Sequence, residues 1–125
     1  MKRITLTFGL VALAAVLAAC SGATAAPAEP AAPADANAPV VVAKDLTFLP
    51  TELTVSAGTP FQVVLDNQEG APHNIAISDS TGASVFKGEI VSNAKVTNQV
   101  PALAAGTYTF ICEVHPDMKG TIVAQ

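Results

Sequence analysis

The stretch Gly106–Gln125, GTYTFICEVHPDMKGTIVAQ, decides how the rest of the chain is read. GTYTFICEV and KGTIVAQ are strand-like runs rich in β-branched and aromatic residues, separated by a short interruption. Pro116 and Asp117 suit a tight turn in that interruption, and Gly120 lets the chain swing into the last strand. Cys112, His115 and Met118 follow one another at three-residue intervals across it. In a tight loop all three can converge on one point. Thiolate, imidazole and thioether form a soft to borderline donor set that suits copper in both oxidation states. Zinc would recruit more Cys or His and has little use for Met.

The same kind of pattern fills the chain from Val40 to this loop. VVVAK, ELTVSAG, PFQVVLDN, HNIAIS, ASVFKG and AKVTNQV precede the two terminal runs, with Gly, Pro, Asn and Asp between them. No segment holds a helical period for more than a turn or two. The expected fold of residues 40–125 is therefore all-β, a Greek-key antiparallel β-sandwich of about eight strands. LAAGTY, Leu103–Tyr108, resembles the tyrosine corner of Greek-key proteins, in which a Tyr hydroxyl bonds back to upstream backbone at a crossover between sheets. A core Tyr without such a bond is the alternative.

The N-terminal third is of another kind. MKR followed by the uncharged run ITLTFGLVALAAVLAA is expected to be a signal peptide over residues 1–19. Leu17-Ala18-Ala19-Cys20 resembles the lipobox of bacterial lipoproteins, which implies thioether lipidation of Cys20 at the mature N-terminus. An ordinary signal or an uncleaved anchor that ends in Cys is the alternative. Residues 20–39 follow as the lipidated Cys and a linker. Ser21–Pro39 holds nine Ala and four Pro and no large apolar side chain, so it cannot bury a core. Fully extended, it would reach about 60 Å at polyproline rise. Together these segments place the domain outside the cytoplasm, on the periplasmic or cell-surface face, tied to a membrane through a lipid anchor.

Cysteine arithmetic sharpens the metal reading. Cys20 and Cys112 are the two cysteines of the chain, and lipidation of the first leaves the second without an intrachain partner in an oxidising compartment. A buried Cys that packs as a small hydrophobe is the bland explanation, but Cys112 stands beside two other soft or borderline donors. One further nitrogen ligand is needed, and His73 is the only other histidine. It heads the run HNIAIS, so a strand end can deliver it to the pole that carries the Cys loop.

With these residues assembled, the domain resembles the cupredoxins, small type 1 blue copper proteins. The likeness runs through TFLPTELTVSAGTPFQVVLDN, the HN pair at His73-Asn74, and the closing GTYTFICEVHPDMKGTIVAQ. The compact Cys-x-x-His-x-x-Met spacing and Pro116 are similar to the amicyanin branch, while Val114 stands where those proteins often carry Pro. The resemblance implies one type 1 copper ion, with His73, Cys112 and His115 in a trigonal plane and Met118 as a long axial ligand. It implies that Asn74 supports the site, its N–H directed to the Cys112 sulfur and its side chain tying the ligand loops together. It also implies that His115 reaches the surface as an electron port, for which Pro116, Met118, Ala71 and Pro72 are the candidate apolar surround.

Charge narrows the function classes. The domain carries Lys44, Lys87, Lys95 and Lys119 against eight carboxylates, a net −4, and no basic cluster supports nucleic-acid binding. The expected protein is a monomeric, non-enzymatic carrier of single electrons between a redox donor and acceptor. Copper storage or delivery remains the second reading. A copper oxidase or nitrite reductase needs further His-ligated copper, and the chain has two His in total.

Overall fold

The computed structural model describes Pro33 and residues 35–125. The expected signal peptide, Cys20 and most of the linker lie outside the described residues. Among the described residues nine strands follow in order: β1 Val40–Lys44, β2 Thr47–Leu49, β3 Glu52–Val55, β4 Phe61–Asn67, β5 Ala76–Ser78, β6 Ser84–Lys87, β7 Lys95–Val100, β8 Gly106–Ile111 and β9 Lys119–Ala124. Among the described residues there is no helix. The expected all-β sandwich is found.

The strands form two sheets, one ordered β2-β1-β4-β7 and the other β3-β9-β8-β5-β6. Both sheets are mixed, not antiparallel throughout as the strand count suggested. β1 runs parallel to β4, with Val40 opposite Val64 and Ala43 opposite Asn67, and β3 runs parallel to β9. Strand runs show period but not direction, and parallel neighbours arise where the chain crosses between sheets before pairing. The ninth strand is β2, which returns from β1 through a turn at Asp45-Leu46, both at positive φ as a two-residue hairpin requires.

Alternation puts one face of each strand into the sandwich. β4 buries Val63, Leu65 and Asn67, and β9 buries Gly120, Ile122 and Ala124. Phe48 and Phe110 meet across the sheets with ring centroids 5.4 Å apart, so truncating either would leave a cavity costing about 3–5 kcal/mol. Gly120 serves that packing: a Cβ there would collide with the Phe110 ring and the Thr51 carbonyl oxygen. Its role is close approach, not the swing in backbone direction that the sequence suggested.

The tyrosine corner is present. Tyr108 Oη donates to the Ala104 carbonyl at 3.0 Å, where the chain leaves β7 in one sheet for β8 in the other. Pro33 and Asp35, from the stretch expected to be linker, are held against the start of β4. Gln62 Nε2 donates to the Pro33 carbonyl and Gln62 Oε1 accepts from the Asp35 N–H.

Candidate metal centre

At the opposite end of β4, two segments bring the soft donors together. The loop between β8 and β9 is closed by backbone bonds at both ends. Cys112 N–H donates to the Met118 carbonyl at 3.0 Å, Met118 N–H to the His115 carbonyl at 2.9 Å, and His115 N–H to the Cys112 carbonyl at 3.2 Å. The second segment carries His73, which stands ahead of β5 and not on it. An isolated bridge with Val91 fixes it, with N–H to carbonyl bonds in both directions at 3.0 and 2.9 Å.

The side chains complete the arrangement. His73 Nδ1 lies 3.5 Å from Cys112 Sγ, His115 Nδ1 lies 3.8 Å from it, and the two Nδ1 atoms are 3.2 Å apart. A circle through these three atoms has a radius of about 2.0 Å, close to the bond lengths of about 2.0–2.3 Å that first-row divalent ions make to N and S. Three lone-pair donors around a point at bonding distance fit a metal ion. His73 and Cys112 are fully buried, Met118 is 2% exposed, and His115 is half-buried. Met118 is therefore inside and does not belong to the apolar surface expected around His115. Pro72 and Pro116 are exposed, and Ala71 is half-buried.

Four residues that shape this centre escaped the sequence reading. Glu69 Oε1 lies 2.8 Å from His73 Nε2, which donates to the carboxylate, and Nδ1 is the ring nitrogen turned toward Cys112. Burial is the largest single influence on the Glu69 carboxyl and opposes its ionisation. The Leu46 N–H, the His73 ring and the Asp45 N–H together outweigh burial and hold it below the usual carboxylate range. Asn67, 2% exposed at the end of β4, shapes the loop that presents Glu69. Its Nδ2 donates to the Ala71 and Val91 carbonyls, and its Oδ1 accepts from the Glu69 N–H.

Asn74 ties the His73 segment to the Cys112 loop. Its Oδ1 accepts from the Glu113 N–H at 3.0 Å, and its Nδ2 donates to Glu113 Oε2 at 2.9 Å. The N–H to Cys112 sulfur contact expected beside this tie is not among the hydrogen bonds of the described residues. The other two missed residues are Glu113 itself and Lys87, whose Nζ reaches Glu113 Oε1 at 2.6 Å. Lys87 first and Asn74 second hold the Glu113 carboxyl below its ordinary range. In sequence, Glu69 four residues before His73 and Glu113 directly after Cys112 were the available signals, and both read as ordinary surface charge.

The family model described as a cupredoxin-like domain matches residues 9–124. The chain belongs to the cupredoxin family. Among relatives, this cupredoxin is similar to amicyanin-alpha of Methylorubrum extorquens, 37% identical over 125 residues and covering all of both chains. It is also similar to amicyanin of Paracoccus versutus, 33% identical over 94 residues, which cover 72% of this chain and 67% of the relative. The crystal structure of the Paracoccus versutus amicyanin superposes with a TM-score of 0.60 at 29% identity, covering 75% of this chain and 87% of that one. One type 1 copper ion is the cofactor that this family and this donor set imply.

Proposed function

We propose that this cupredoxin is a membrane-tethered, extracytoplasmic blue copper protein that carries single electrons between a donor and an acceptor redox protein. The observation that supports it is the triangle of two imidazole Nδ1 atoms and the Cys112 sulfur, held at bonding size by the protein's own hydrogen bonds. In this reading His73, Cys112 and His115 would hold the copper ion, Met118 would add a weaker fourth donor and Asn74 would support them. When bound, copper supplies a one-electron couple between its cupric and cuprous states.

The protein's share is to hold the ligands still. His73 is fixed at its backbone by Val91 and at its ring by Glu69, so its position does not depend on the metal. The Cys112–Met118 loop is held by its own backbone bonds between two paired strands. A site that keeps its geometry in both oxidation states needs little rearrangement when an electron moves. His115, half-buried while His73 is sealed, is the path between the centre and a partner. Exposed Val114 and Pro116 beside it give that path an apolar surround.

Residues 1–19 are proposed as the signal peptide, Cys20 as the lipidated residue and residues 20–39 as the tether, with the monomeric domain on the periplasmic or cell-surface face. The test measures two rates on one preparation. A carrier shows fast electron self-exchange between oxidised and reduced molecules and slow loss of copper to a chelator. Copper handed within seconds to an acceptor protein, with sluggish electron self-exchange, would replace the carrier reading with delivery.

A further inference from the structure

We infer that Lys87 and Glu113 are positioning residues for the metal centre, bracing the Asn74 carboxamide across both ligand-bearing segments. The inference rests on the ligand reading of His73 and Cys112 given above. Asn74 directly follows His73, Glu113 directly follows Cys112, and Asn74 is fully buried. Residue 113 grips the carboxamide twice. Its backbone N–H serves Oδ1 and its carboxylate accepts from Nδ2. The second Nδ2 proton goes to the Gly88 carbonyl at 3.2 Å.

The end of β6 and the strap after it complete the frame. Lys87 takes the free carboxylate oxygen of Glu113. Gly88 N–H donates to the Ile75 carbonyl at 2.8 Å, and Val91 exchanges two backbone bonds with His73. A Cβ at Gly88 would collide with Asn98 Oδ1 and crowd the Ile75 carbonyl, so the strap lies close against the segment that carries His73. Three pieces of chain, 73–75, 87–91 and 112–113, are thus stitched around one amide group.

Fold stability does not explain the Lys87–Glu113 pair. The two side chains are 61% and 34% exposed, and ion pairs at such exposure add little to stability. Their geometry has a local consequence instead. With Lys87 holding one oxygen, the other is aimed at Asn74, and the carboxylate charge next to Cys112 is balanced by an ammonium.

The test compares Glu113→Ala, Glu113→Gln and Lys87→Met with the parent protein. In the metal-free proteins, NMR follows solvent exchange of the Asn74 side-chain amide protons. Glu113→Ala should speed it by about tenfold or more, the worth of a hydrogen bond to a charged group, while Glu113→Gln, which keeps an acceptor, should stay near the parent. Copper retention should fall by about 10–100-fold in Glu113→Ala and much less in Glu113→Gln. The reduction potential should rise in Glu113→Gln, which removes a negative charge near the centre, and fall in Lys87→Met, which leaves that charge unbalanced. A merely structural pair would not move the potential in opposite directions.

Parent-like amide exchange and copper retention in Glu113→Ala would overturn the brace. A parent protein that formed no blue complex would overturn the copper reading instead, and the metal-free exchange comparison would then uphold or overturn the brace by itself.

Discussion

His73 and His115 bring equivalent nitrogen atoms to within 3.2 Å of each other, yet the protein treats the two rings differently. His73 has no exposed surface, is bridged at its backbone to Val91, and has its far nitrogen against Glu69. His115 is half-buried, is held through its backbone inside a seven-residue loop, and among the described residues has no bond to Nε2. One imidazole is built into the sandwich and the other is left at its surface. A centre that must stay rigid and still exchange electrons needs both: an anchor sealed from solvent and a ring that a partner can approach.

The largest effects should come from removing strong donors. Cys112→Ser and His73→Ala should each abolish the blue absorption of the copper-loaded protein, checked by visible spectroscopy. Replacing each histidine by Gly should sharpen the contrast. Added imidazole should restore colour to His115→Gly, because that ring occupies accessible space, and should fail with His73→Gly, whose site is closed. Equal rescue of both would mean that the two rings are equally open to solvent.

Next in size is the support behind His73. Glu69→Ala should lower copper affinity by about 10–100-fold, the usual cost of removing a partner of a ligating His, with Glu69→Gln intermediate. A competition titration with a chelator measures it. Met118→Leu should keep copper and raise the potential, because an axial thioether stabilises the cupric state more than an alkyl group does. Loss of colour there would show that Met118 does more than act as a weak axial ligand.

The smallest effect concerns acid. Asp79, in the turn between β5 and β6, accepts from the Thr81 hydroxyl and from the Thr81 and Ala83 N–H groups, which hold its carboxyl below the ordinary range. Asp66 is lowered likewise by Lys95, then by Gln68. A depressed folded value means that the stabilisation is complete above the usual carboxylate range and is lost as pH falls through the folded value. Melting temperature of the metal-free protein should therefore decline below about pH 4. Asp79→Asn should make that decline shallower.

Much of this was legible in the sequence because it is local. The Cys112, His115 and Met118 spacing lies within one loop, and the strand runs of β4, β8 and β9 declare themselves by composition and period. Tyr108 could be assigned its backbone bond from the six residues around it. What escaped depends on pieces of chain far apart in sequence. The parallel pairs β1 with β4 and β3 with β9 follow from crossovers, which no single run encodes. Lys87 and Glu113 are 26 positions apart, and each alone reads as a solvated charge. Asn67 reads as a turn former, although its buried carboxamide shapes the loop that carries Glu69 and His73.

The proposed electron carrier stands on a preformed type 1 copper site at His73, Cys112, His115 and Met118. Titration of the metal-free protein with cupric ion, followed in the visible, tests it most directly. An intense blue complex that saturates at one ion per chain and bleaches reversibly on reduction is expected. A colourless or only faintly coloured complex at saturation would contradict it.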